Sequence, residues 1–395
     1  MRKVYATLLI GFLFLEPLNA SAAVKAGATC SKLGATSTYA GKKYTCIKSG
    51  KRLVWDKGVA IPKPVPTVSP TPTATVAPSS TPTPAPILTK TPTGFGDLVD
   101  SFKGVYISVW NSSDAKIKRS LPVDVKQNIL FGPNTKSPSS EISKMFSRAT
   151  QFFSGYAQPT SFDAIYYVFD DIPWAAQKLL ELYGNPDQAQ APSRNCQSRQ
   201  RCNGASANVP KTNIGQANFA VLDGGHLDPY HLQGGIEIHE YTHMVQFMQF
   251  QGKPTYQQQG GFALLPNWFV EGHAHLAGNV GAALTLDDYK SFRNQWLNAR
   301  AEGLAGYSPE SIEGFYEKLS PGKSDSSVQS NVYSIGYFTV EAMASIKGVD
   351  SPIALIKLVS DGATWDDAFL KVYGISWKEA APILAKTVSR MFLER

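Results

Sequence analysis

Residues 61–93 hold ten Pro and nine Thr and no aromatic residue, so this stretch cannot bury a core. It therefore divides the 395-residue chain into two parts that must fold separately, a short one before it and about 300 residues after it. The sequence predicts an extended, polyproline-like spacer, which at about 3.1 Å per residue reaches on the order of 100 Å. Whole-chain disorder is excluded, because 43% of the residues are hydrophobic and only 17% are charged.

The first 22 residues read as a cleaved secretory signal: Arg2 and Lys3 precede an apolar run from Tyr5 to Leu15, and the small residues Ala20-Ser21-Ala22 follow. Glu16 and Pro17 interrupt the run too early for a bilayer span of about 20 residues, and no later stretch is apolar enough to cross a membrane. The expectation is a secreted chain without a transmembrane segment after signal cleavage. Four cysteines in an exported chain suggest two disulfides, with spacing that favours Cys30–Cys46 and Cys196–Cys202.

Residues 23–60 alternate polar with aromatic or β-branched residues around glycines, as a small disulfide-stapled β module would. They carry eight Lys/Arg against the single acid Asp56. This segment's +7 and the signal's +1, set against a chain total of +7, leave residues 61–395 at −1, so no basic nucleic-acid footprint is expected on the main unit. The basic head could attach to an anionic cell-wall surface through screened attraction, or could serve as a solvated face. The run CSKLGATSTYAGKKYTCIKSGKRLVWDKG resembles a small Cys-paired module near the N-terminus of exported actinobacterial proteins.

Residues 94–395 are expected to form one α+β unit in two lobes. Its first part mixes strands at Gly104–Val109, Ile165–Phe169 and Phe219–Leu222 with helices at Ser140–Phe153 and Trp174–Tyr183, and the part after residue 230 is mainly helical.

All six histidines fall between His226 and His275. The central two lie in GGIEIHEYTHMVQFMQFQG, where paired glycines precede a helical pattern that Gly252 and Pro254 close. His239 and His243, four residues apart on a helix, project from one face and can take two corners of a zinc tetrahedron, with Glu240 beside them to work on water. Two histidines on such a helix could also be packing residues. A catalytic zinc needs a third protein ligand and an open position. A third histidine six residues beyond His243 is excluded, because Gln249 stands there, and Gln246 replaces the glycine that would precede it. The segment PNWFVEGHAHLAG offers Glu271 instead, on a second helix started by Pro266 and Asn267.

The two motifs, HEYTH at 239–243 and WFVEGHA at 268–274, resemble those of the gluzincin, or peptidase MA-like, metallopeptidases. The resemblance implies a zincin-like domain, a mixed-sheet lobe with a helical lobe, and one catalytic Zn2+ on His239, His243 and Glu271, with Glu240 as general base. The run NVYSIGYFTVEAMASIKG resembles the Y-x-x-G helix start of the aminopeptidase-N-like branch, which implies that Tyr333 steadies the oxyanion; packing of Tyr333 and Tyr337 on an apolar helix explains them as well. No G-x-M-E-N-like run occurs, so aminopeptidase activity is not carried over. His275 stands where the thermolysin-like branch has Asp, which leaves the partner of the ligating imidazoles unassigned. His273 and His275 read as scaffold or cleft-lining residues. His226 and His231, with Asp223 and Asp228, read as a polar loop or, alternatively, as a second ion site.

The functional expectation is a secreted zinc metallopeptidase that hydrolyses peptide or protein substrates through a zinc-activated water, with Glu240 as general base. The alternatives are a non-catalytic cell-surface binding protein with a vestigial metal site and a zinc amidase acting on cell-wall peptide.

Overall fold

The structure, a computed structural model, describes residues 25–39, 42–60, 89–225, 228–255 and 261–394, which fall into two compact units. The expected signal, the Pro/Thr spacer up to residue 88 and His226 lie outside the described residues.

The head unit is an antiparallel sheet of four strands, β1 (Thr36–Tyr39), β2 (Lys42–Ser49), β3 (Arg52–Trp55) and β4 (Val59–Ala60). Central β2 pairs with β1 through Thr36↔Thr45 to Tyr39↔Lys42, and with β3 through Cys46↔Trp55 to Ser49↔Arg52. Alternation along β2 buries Tyr44 and Cys46 and leaves its lysines outside. So small a sheet buries little, and the Cys30–Cys46 disulfide closes it.

The main unit is mixed α+β. Its sheet is ordered β5 (Lys126–Phe131), β6 (Ser161–Tyr167), β10 (Ile214–Ala220), β9 (Ala205–Lys211). The first three of these run parallel, and edge strand β9 is antiparallel to β10. Between β6 and β9 a small hairpin, β7 (Cys196–Ser198) and β8 (Arg201–Cys202), is closed by Cys196–Cys202. Alternation along β6 sends Phe162, Ala164 and Tyr166 to the larger core and Ile165 and Tyr167 to a smaller one under the Ile172–Tyr183 helix. On the larger face Phe162 meets Phe146 of the Ile142–Phe152 helix and Tyr241 of the Gly235–Phe250 helix, at ring separations of 4.6 and 5.7 Å.

The expected strand at Gly104–Val109 is corrected. A 3-10 turn at Phe102–Gly104 leads directly into a helix over Val105–Arg119. The β-branched alternation at 105, 107 and 109 is outweighed by a longer helical period that buries Val105, Val109, Ser113, Lys116 and Ile117. The other two strands exist with shifted ends, since Phe169 belongs to a 3-10 turn and β10 starts at Ile214. Residues 89–93, the end of the expected spacer, are ordered with the main unit: a Cβ on Gly104 would lie 2.1 Å from the Lys90 carbonyl oxygen, and the Thr93 amide donates to Asp97 at 2.9 Å.

Helices dominate after residue 230. The Gly235–Phe250 helix, here the motif helix, packs on Asn267–Ala282, the glutamate helix, which in turn packs on Ile335–Lys347. No described helix is long and apolar enough to cross a membrane.

Candidate metal centre

The motif helix starts where Gly234 takes φ 86°, a conformation that favours glycine, and it is enclosed on nearly every face. The glutamate helix starts after Pro266, whose φ of −62° suits a helix entry. The two cross closely because Gly278 has no side chain: a Cβ there would lie 2.6 Å from the Gly235 carbonyl oxygen and 3.3 Å from the Cβ of His239. This approach brings Glu271, about two turns earlier, to the imidazoles.

His239 Nε2 and His243 Nε2 stand 3.2 Å apart, and Glu271 Oε2 lies 3.6 and 3.4 Å from them. All three residues are buried, and among the described residues they form the one group of His, Cys, Asp or Glu whose ligand atoms converge in this way. Ligands about 2.0–2.1 Å from a tetrahedral ion are roughly 3.4 Å from one another, so the triangle has the right size for zinc. Glu271 Oε2 makes no well-directed hydrogen bond to either imidazole, while the two imidazole Nε2 atoms lie within hydrogen-bond distance of each other. The donor set, two imidazoles and a carboxylate, fits a divalent transition metal.

Burial works against charge here, yet charge persists. Burial lowers the His243 imidazole, but Glu271 and Glu240 beside it overcome that and lift it to about 9. Burial would raise Glu271, but the His243 and His239 imidazoles hold it well below the usual carboxylate range. Burial keeps His239 below its ordinary value. These shifts favour a charged His243 imidazole opposite an ionised Glu271.

Glu240 sits one residue from His239 with Oε2 buried and without a hydrogen-bond partner. Burial pushes its carboxyl up to about 8; His243 opposes this, and Glu271 and Glu237 add to it. Tyr333, at the end of a 3-10 turn before the Ile335–Lys347 helix, reaches the same place. Its ring centre is 6.2 Å from that of His239, and burial, with the Glu271 and Glu240 carboxylates nearby, raises its hydroxyl well above the ordinary tyrosine value. The structure therefore brings together all five residues singled out from the sequence.

A sixth residue was missed. Gln246 Nε2 donates to the Val270 carbonyl at 2.9 Å, which fixes the amide orientation and turns Oε1 to His243 Nδ1, also at 2.9 Å. Nδ1 therefore carries a hydrogen, which leaves Nε2 as the nitrogen that would ligate a metal once its own proton is displaced. Gln246 also contacts His273 Nδ1 at 3.1 Å. His273 is a fully buried scaffold residue between Phe153 and Phe269. The sequence signal for Gln246 is its place one turn beyond His243, which taken alone shows only that the glycine of the alternative motif is absent.

Of the polar loop, Asp223 pairs with Arg199 at 2.9 Å and Asp228 with His231 at 2.8 Å. Asp228 also caps the short Pro229–Leu232 helix. Comparisons of the chain with protein-family models, with curated proteins and with solved structures found no match.

Proposed function

We propose that the protein is an exported zinc-dependent metallopeptidase with a gluzincin-type site and a zincin-like catalytic domain. The observation that carries the reading is the buried triangle of His239, His243 and Glu271 ligand atoms, 3.2–3.6 Å on a side, with the unpartnered carboxylate oxygen of Glu240 next to it. A buried carboxyl without a partner is costly to keep and is expected where it handles a proton.

When bound at the triangle, zinc supplies Lewis acidity: it lowers the pKa of a water towards neutrality, polarises the scissile carbonyl and favours the ionised form of Glu240. Glu240 takes the proton of the attacking water and returns it to the leaving amine. Tyr333, whose ionisation burial suppresses, keeps its hydroxyl hydrogen and can donate it to the carbonyl oxygen as charge develops there. Gln246 holds His243 in the ligating tautomer throughout. Export is supported by the signal pattern and by the pairing of all four cysteines. The head is the proposed anchor to an anionic wall polymer: its eight Lys/Arg are exposed, while Asp56 Oδ1 is engaged by the Thr45 and Gly58 amides.

The first test is elemental analysis of purified protein beside His239→Ala. About one zinc per chain, lost in the variant, is expected; no uptake from zinc-containing buffer would remove the site. The Glu240→Gln variant should keep its zinc and lose turnover by about 10²–10⁴-fold on unfolded protein. Cleavage of purified wall peptide alone would move the activity to an amidase.

A further inference from the structure

The metal-site reading leaves one ligand without support. His243 is held through Gln246, but His239 Nδ1 is buried with no hydrogen-bond partner. A ligating imidazole normally donates that N–H to an acceptor, which sets its tautomer and orientation. A second anomaly lies beside it. His275 is 1% exposed and neither of its ring nitrogens has a partner. Its ring is packed among aromatic rings, with centre separations of 4.1 Å to Trp296 and 5.3 Å to Tyr337. Packing alone does not account for an imidazole there, because a phenyl ring would fill the space without two stranded polar atoms.

The two anomalies adjoin. Along the glutamate helix, Glu271, His275 and Gly278 recur at spacings of four and three and so share the face turned to the motif helix. Glu271 meets Nε2 of His239, and Gly278 meets its Cβ. His275 is thus placed alongside the ring between those two ends, and the ring centres are 5.7 Å apart at 77°.

From this we infer that His275 is the positioning residue for His239: in the metal-loaded protein one of its ring nitrogens accepts the Nδ1–H of His239, so that His239 Nε2 presents a lone pair to the ion. The neutral imidazole carries its own hydrogen on the other nitrogen, and Tyr230, whose hydroxyl is also buried without a partner, has its ring centre 6.1 Å from that of His275. The inference rests on the metal-site reading but not on peptidase activity.

The test measures Zn2+ affinity by competition with a chromogenic chelator, on full-length wild type, His275→Phe and His275→Gln. His275→Phe should weaken zinc about 10–100-fold without shifting the thermal midpoint of the metal-free protein, and His275→Gln, which retains an acceptor, should recover most of the loss. Equal affinity of the phenylalanine variant and wild type would overturn the inference, and so would equal losses in both variants. If the variants fold poorly, wild type labelled with 15N-histidine decides. The zinc-loaded protein should show an exchange-protected Nδ1–H with coupling to a second histidine nitrogen, and absence of that coupling would overturn the assignment. Failure of wild type to take up zinc would overturn the metal site itself, whereas inactivity of a zinc-loaded protein would touch only the proposed reaction.

Discussion

An imidazole can present either nitrogen to a cleft, and at His243 a single amide decides which. Because the Val270 carbonyl can only accept, Gln246 must turn its oxygen to His243 Nδ1. Replacing Gln246 by Leu should therefore weaken zinc about 10–100-fold, measured by chelator competition, although no ligand has changed. The charged His243 of the metal-free site carries a further expectation. With His243 lifted to about 9 and Glu240 to about 8, and zinc favouring the deprotonated form of both, zinc binding at pH 7 should release between about one and two protons. Calorimetry in buffers of different ionisation enthalpy should show that release, and an enthalpy independent of buffer would contradict it. In the absence of metal the sign for stability is that of a raised imidazole. Its contribution is complete below the ordinary histidine value of about 6.5 and is lost as pH climbs through about 9.

Helix crossings turn these side chains into a site. A Cβ on Gly272 would lie 2.5 Å from the Gly336 carbonyl, and one on Gly336 would lie 2.6 Å from the Trp268 carbonyl oxygen. These two glycines, next to Glu271 and three residues after Tyr333, allow the glutamate helix and the Ile335–Lys347 helix to touch backbone to backbone. Tyr333 is held over the ligands by that contact. Gly336→Ala must push the helices apart and should cost about 1–3 kcal/mol in denaturant unfolding, with weaker zinc binding as well. Gly314, inside the Pro309–Lys318 helix with open space where its Cβ would be, is the control: alanine there should stabilise by about 0.5–1 kcal/mol. Behind the contact, Arg293 and Glu341 form a buried pair at 2.8 Å to which the Tyr289 hydroxyl also donates, at 2.7 Å. Arg148 donates to the Gly281 and Ala283 carbonyls at the end of the glutamate helix, where a cation is favourable.

For the molecule as a whole, charge and chemistry are separated. The head carries the net positive charge and the main unit carries the candidate site. Retention of full-length protein on an anionic wall polymer should fall when Lys42, Lys43, Lys48 and Lys51 are changed to Gln. It should also vanish near 1 M salt, where the screening length is about 3 Å. Zinc content and peptide cleavage should be unchanged by the same substitutions. Retention insensitive to both salt and substitution would remove the head from the anchoring role.

Much of this was legible in the sequence because it is local. The Cys196–Cys202 spacing, the HExxH pair on one helix face and the Pro266 start depend on residues a few positions apart, and local spacing reports them directly. The strand expected at Gly104–Val109 failed for the same reason: a short alternating window satisfied β periodicity while the helical period of the longer segment governed burial. What only the tertiary structure decided are contacts between distant segments. Gln246 against Val270, Gly272 against Gly336, and His275 beside His239 are set by which backbones can approach closely, and that depends on packing across the whole core.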